Sequence, residues 1–437
     1  MIPRSCDTMV ALANATSTGD VIFAKNSDRP VDECQPLELH ARQTYADGAV
    51  TECQFVSLPE APVTHRHIGS RPYWCWGYEH GANEHQVVIG NEGLGSRLPE
   101  ASEPKLIGME IIRLALERSR SASEAVDVIT GLVSEYGQGR FANDAGVRTY
   151  DNGYIVADPR EAFVIETGGH HWAVKRVERA LGISNVYSIE TDWERLSRAA
   201  ASHAREHGWE GARGRLNFAD AFTLSRRDEG SGAMRRRRAC AVLDARLGDI
   251  DARTMMSLLS DHSDGQNADE PFVVDAGYAG GICIHCNADG TGGNTAASLV
   301  SELCADGSRL AVHWCALYSP CLALFLPMFV EGELPEALAI GGETPSDDSP
   351  WWTFHRLAAA VRVAPDARAE AVREAWAPVQ DALSVSAYEM AGEGRRSIDD
   401  GRATDANALL TRYMAENTAT MLRVATDLLD WLDRLAA

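Results

Sequence analysis

The sequence predicts an antiparallel α+β layer fold, and three observations carry that expectation. Runs of strand period and runs of helical period come in blocks, in the order strands, two helices, strands, helices, strands, which argues against alternating βαβ winding. Residues 153–177 read as a three-strand meander with short polar turns between its strands. No Gly-rich phosphate fingerprint follows a strand, so no nucleotide cofactor is expected.

The first element is a hairpin. Met9-Val10-Ala11-Leu12-Ala13 and Val21-Ile22-Phe23-Ala24-Lys25 are short apolar runs joined by the turn-prone stretch Ala15 to Asp20. Antiparallel pairing sets the start of the first strand beside the end of the second, which brings Cys6 close to Lys25, Asn26 and Asp28. Only Met1 to Ser5 precede Cys6; this segment is too short and too polar for a signal peptide and reads as removable. With it gone, Cys6 would join a thiol to an α-amino group of pKa about 7.7–8.0, a nucleophile and a base on one residue. The alternative for Cys6 is an ordinary buried strand cysteine.

Residues 31–72 are mixed and lead into Tyr73-Trp74-Cys75-Trp76-Gly77, where Trp74 and Trp76 suit either the wall of an apolar substrate pocket or the core. A strand over 86–90 runs into Asn91-Glu92-Gly93, and the Asn91 amide at a strand end is placed to face a developing oxyanion. Helices follow over 104–118 and 122–136, the first marked by Ile107, Ile111 and Leu114, the second capped by Ser121 and Glu124. Strands over 154–157, 162–166 and 171–177 come next, then a short one over 182–189. Residues 192–262 read as mostly helical and charged, and strands return over 281–285, 295–303 and 309–317.

Past a linker-like stretch at 345–350, the chain is helical and Ala-rich to residue 437. Its last helix carries Leu410, Met414, Asn417, Met421, Val424, Leu428, Trp431 and Leu435 at heptad spacing. That seam suits docking on the body of the same chain, or on a partner helix in a homodimer. The expected organisation is a propeptide over 1–5, a main domain over 6–345 and a helical extension over 350–437.

Of the 437 residues 45% are hydrophobic and 24% charged, and no apolar run approaches the ~20 residues of a membrane span, so no membrane role is expected. Lys+Arg 41 against Asp+Glu 63 gives 41 − 63 = −22, which opposes attraction to nucleic acid. The basic run Arg235–Arg238 reads as a helix face paired with acidic neighbours. Ten cysteines without a framework spacing, and without a signal sequence, read as reduced and cytoplasmic. Cys283-Ile284-His285-Cys286 has metal-ligand residue types but too little spacing, and Cys304, His313 and Cys315 do not close a regular set; it reads as a strand, and no metal is expected.

Cys6-Asp7-Thr8, Lys25-Asn26-Ser27-Asp28-Arg29, Ser70-Arg71-Pro72, Trp74, Trp76-Gly77, Gly81-Ala82-Asn83-Glu84-His85, Asn91-Glu92, Tyr136-Gly137-Gln138-Gly139 and Ile183-Ser184-Asn185 together resemble the secernins. The order and spacing match over residues 6 to about 200. Secernins resemble dipeptidases of the N-terminal nucleophile (Ntn) hydrolase superfamily, distantly related to penicillin V acylase and bile-salt hydrolase. The resemblance implies a four-layer αββα sandwich with an added C-terminal helical segment. It also implies hydrolysis of the amide bond of a dipeptide or other small amide by an unmasked N-terminal cysteine. Carried over, Cys6 matches the nucleophile, Asp28 the carboxylate that positions amine and thiol, and Asn185 the oxyanion asparagine, with Asn91 a second donor. Lys25 falls where the acylases have an arginine and, with Asn26, Trp74 and Trp76, is assigned to substrate binding. Their C-terminal catalytic arginine has no assigned counterpart, the Arg235–Arg238 run being one source. A second reading is a non-catalytic interaction protein on the same scaffold.

Overall fold

A computed structural model describes residues 5–139, 141–143, 146–209, 214–224, 229–262, 281–287 and 289–436. The removable segment expected over 1–5 therefore lies outside the described residues except for Ser5.

The hairpin forms as expected and runs further at its open end, while its first strand stops at Ala11. Its strands are β1 (Ser5–Ala11) and β2 (Val21–Pro30), with Ser5 opposite Asp28, Cys6 opposite Ser27 and Thr8 opposite Lys25. They sit inside a six-stranded antiparallel sheet, in the order Ala180–Ile183, β1, β2, Gly293–Leu303, Val312–Leu317, Leu326–Met328. The meander over 151–176 builds the second sheet, of eight strands. Its order is Arg195–Leu196, His171–Arg176, Ala162–Gly168, Asp151–Ala157, Val88–Leu94, His80–Asn83, His67–Ser70, Leu37–His40.

The sheets face each other, β1 packing on Val88–Leu94 and Asp151–Ala157. Helices Gly108–Arg118 and Ala122–Tyr136 cover the outer face of the eight-stranded sheet, while Ser231–Ala245 and Ala252–Leu259 cover that of the six-stranded sheet. The result is the αββα sandwich. Strand alternation explains its cores. Val88, Ile155 and Val164 join Val10 and Phe23 between the sheets, whereas Ile89, Tyr154, Val156 and Ile165 turn to Ile111, Leu114 and Ile129 on the helices. Ser121 accepts the Glu124 N–H and caps the second helix as expected.

Two strand expectations are corrected. The strand over 182–189 stops at Ile183, and residues 281–287 take no strand conformation, because the Ile284 N–H is used by the Thr295 side chain in place of a ladder partner.

Three helices close the chain: Pro350–Arg362, Pro365–Asp399 and Ala403–Ala436. The last packs on the other two and on strand Leu326–Met328. Leu410, Met414, Met421 and Leu428 of the expected seam are buried, but the seam runs on through Thr418, Ala425 and Leu432, while Leu435 is 56% exposed. The seven-residue repeat itself is kept, and its second row lies one residue further along than Asn417, Val424 and Trp431. The chain's own helices cover these positions, so the seam serves internal docking. Among the described residues no helix is long and apolar enough to cross a membrane.

Candidate active site

Cys6 sits near the start of β1 and is buried. Period-2 alternation puts it on the same face as Thr8, and its cross-strand neighbours Ser27 and Lys25 share that face, which looks toward the eight-stranded sheet. The Asp28 backbone N–H points at its Sγ from 3.4 Å. Burial pushes the thiol up to about 12, with the Lys25 ammonium opposing the rise. The Cys6 backbone N–H donates to Asn185 Oδ1 at 2.8 Å.

Asp28 lies opposite Ser5 in the hairpin register, and the Ser5 hydroxyl donates to its Oδ2 at 2.8 Å. Its other oxygen accepts from Thr295 Oγ1 at 2.6 Å. Burial first, then the neighbouring Asp7 charge, lift this carboxyl to about 6, with Arg235 pulling the other way.

Arg235 is the residue that sequence reasoning left unassigned. It is fully buried on helix Ser231–Ala245, with Nε on Asp7 Oδ2 at 2.9 Å and Nη2 on Ser184 Oγ and Asn185 Oδ1 at 2.9 and 2.7 Å. Gly232 lets the helix come this near, since a Cβ there would stand 3.1 Å from the Asn185 carbonyl oxygen. The basic run does pair with acidic neighbours, Arg235 with Asp7 and Arg238 with Asp261. The available signal was the adjacency of Asp7 to Cys6.

Five other residues assigned to the site have surroundings of a different kind. Lys25 is fully buried, with Nζ on the Asn91 and Asn26 carbonyls at 2.7 and 3.2 Å and 3.9 Å from Glu92. Its stem fills the space where a Cβ on Gly90 would lie 2.4 Å away. It is a buried cation held by backbone carbonyls, and its charge opposes the rise of the Cys6 thiol. Asn26 turns to the opposite face of the sheet, where it donates to the Leu259 and Ile282 carbonyls at 2.8 and 3.0 Å, so it fastens chain segments.

Asn91 is on the wrong face as well. Its Nδ2 donates to Asn152 at 2.8 Å beside helix Gly108–Arg118, while the next residue, Glu92, turns inward to accept from Thr8. Asn91 is thus no oxyanion donor, because alternation in Val88–Leu94 gives the inward positions to Gly90 and Glu92. Trp76 packs outside the eight-stranded sheet under the Arg113 guanidinium, 4.0 Å from its ring centre. Trp74 packs with Cys75, Ile107 and Tyr150. A cavity of about 260 Å³ is lined by Leu94, Leu98, Gln138, Tyr150 and Asp151, among others, and its lining includes none of Cys6, Asp28, Asn185 and Arg235. Away from Cys6, Cys283 and His285 meet His262 and Cys321, which the sequence spacing could not reveal.

Cys6 thus lies near a strand start, between two antiparallel sheets with helices on their outer faces. Residues 5–193 match the model of peptidase family C69, the same stretch over which the sequence resembles secernins. A dipeptidase of Bifidobacterium longum is 26% identical over 199 residues, 40% of this chain and 35% of that protein. The match therefore spans about a third of that relative's length. Among solved structures, a mutant conjugated bile acid hydrolase from Clostridium perfringens is 12% identical with a TM-score of 0.43, covering 71% of this chain and 89% of that one. A penicillin V acylase from Agrobacterium tumefaciens is also 12% identical, with a TM-score of 0.42 over 74% and 86% of the two chains.

Proposed function

We propose that this protein is a cysteine Ntn hydrolase that cleaves the amide bond of a dipeptide or other small amide through an acyl-enzyme, after loss of residues 1–5. The observation that carries the reading is the hold on Cys6: its nitrogen on Asn185 Oδ1, and Arg235 on that same oxygen. While Ser5 is attached, the Cys6 nitrogen is a peptide amide and has no lone pair to act as a base. Removal of the segment makes it an amine and takes away the Ser5 hydroxyl that occupies Asp28 Oδ2. Asp28 then has an oxygen open to the new ammonium, which in turn favours the carboxylate.

In the reaction the amine takes the thiol proton and the thiolate attacks the substrate carbonyl carbon. The tetrahedral intermediate expels the amine half, which receives that proton. Water, deprotonated by the same amine, opens the thioester and restores the thiol. The second N–H of the Asn185 amide, beside the one on the Gly93 carbonyl at 2.9 Å, is the side-chain donor for the oxyanion.

The test is hydrolysis of a panel of dipeptides and small acyl amides by wild type and Cys6→Ala. Turnover of at least one member by wild type, lost in Cys6→Ala, is expected. Equal rates for the two proteins would refute the reading.

A further inference from the structure

A second constellation lies on the outer side of the six-stranded sheet, where three chain segments converge. His262 follows helix Ala252–Leu259, Cys283 and His285 lie on the segment 281–287, and Cys321 sits in the short turn Pro320–Leu322. Asp261 fastens the first two, its carbonyl accepting the Ile282 and Cys283 N–H groups at 2.9 and 2.8 Å. Gly281 permits that approach, since a Cβ there would stand 2.9 Å from the His262 carbonyl oxygen.

His285 Nε2 is the centre of the group: His262 Nε2 stands 3.1 Å from it, Cys321 Sγ 3.3 Å and Cys283 Sγ 3.4 Å. A neutral imidazole nitrogen is either a single donor or a single acceptor, so hydrogen bonding cannot satisfy three such neighbours at once. All four ligand atoms lie within 4.8 Å of one another. A tetrahedral zinc, with Zn–N of 2.0–2.1 Å and Zn–S of 2.3 Å, sets its ligand atoms about 3.3–3.8 Å apart. The other histidine cluster, His65, Glu84 and His85, offers no such opening, because Arg42 Nη1 already bridges His65 and Glu84 at 3.1 and 2.9 Å.

We propose that His262, Cys283, His285 and Cys321 bind one zinc ion in a four-ligand site. Two thiolates and two imidazoles are the donor set that suits this borderline-soft cation, and four protein ligands make the site structural, with no open position for a substrate. The ion would pin the segment 281–287, whose Ile284 N–H donates to Thr295 Oγ1 at 2.9 Å, and Thr295 in turn donates to Asp28 at 2.6 Å. The site does not depend on Cys6 being a nucleophile.

The test is elemental analysis of full-length protein purified from zinc-supplemented medium without chelator. About one zinc per chain is expected in wild type, and less than a tenth of that in Cys283→Ser/Cys321→Ser. Because that variant may fold poorly, metal-depleted wild type is also titrated with Co²⁺, where thiolate-to-cobalt charge-transfer absorption saturating at one equivalent is expected. Wild-type protein lacking both stoichiometric zinc and the cobalt–thiolate band would overturn the proposal. So would unchanged zinc in the double variant, or a Cys283–Cys321 disulfide in protein purified under reducing conditions.

Discussion

Arg235 Nη2 donates to Asn185 Oδ1 at 2.7 Å, and the same oxygen accepts the Cys6 backbone N–H at 2.8 Å. Two donors on one carboxamide oxygen fix which way the amide points. Its nitrogen then faces the Gly93 carbonyl, 2.9 Å away. Asn185 is therefore first an anchor for the Cys6 nitrogen, a role the sequence resemblance had not given it.

Replacing Asn185 separates its two roles. Asn185→Ala removes both the anchor and the oxyanion donor and should lower kcat by about two to three orders of magnitude with the fold intact. Asn185→Asp keeps the accepting oxygens but loses the donor, so it should still lower kcat by about two orders of magnitude. An aspartate variant as active as wild type would show that the amide is not the oxyanion donor.

The Asp7–Arg235 pair is fully buried on both sides at 2.9 Å. Removing one partner strands the other, so Arg235→Ala should lose about 3–5 kcal/mol of stability in urea unfolding. Combining it with Asp7→Asn should recover part of that loss. A stability change under about 1 kcal/mol would show that the pair is not desolvated.

Asp28 predicts the acid limb of activity. Its carboxyl is lifted by burial to about 6 while Ser5 is attached, and the new ammonium pulls it back down, so kcat/KM should fall only below about pH 6, as the carboxylate needed by the ammonium is lost. For folding the sign is reversed. The folded state holds this proton more tightly than the unfolded chain, so the stability it contributes is full below 3.8 and lost as pH rises through about 6. An acid limb left unmoved in the residual activity of Asp28→Asn would assign it to another group.

The hairpin, the meander, the two helices over 108–136 and the closeness of Cys6 to Asp28 were all legible in the sequence, because each rests on local periodicity and turn chemistry. What escaped it was orientation and distance along the chain. Asn91 and Glu92 are adjacent in sequence, and only the pairing of strand Val88–Leu94 decides which faces Cys6. Arg235 lies 228 residues from Asp7, and Cys321 lies 36 from His285, separations that no spacing rule spans. Lys25 was assigned to substrate binding because it falls where the acylases have an arginine, and the carbonyls of Asn26 and Asn91 give its ammonium an interior place.

Truncation after residue 402 should expose the apolar surface that now receives Leu410, Met414, Met421 and Leu428. Aggregation on gel filtration, or a markedly lowered Tm, is the expected result. A monodisperse truncate with the melting temperature of the full chain would show that the last helix adds nothing to the fold.

The account rests on Cys6 becoming the first residue. Attack by its own thiol on the Ser5 carbonyl breaks the Ser5–Cys6 amide and passes the thiol proton to the freed nitrogen, and water then opens the thioester, which releases the segment, restores the thiol and leaves the amine on Asn185. Intact-mass measurement of the purified native protein tests this most directly. Wild type should have lost Met1 to Ser5, while Cys6→Ala should retain Ser5 and be inactive. Active wild-type protein with Ser5 still attached would contradict the account.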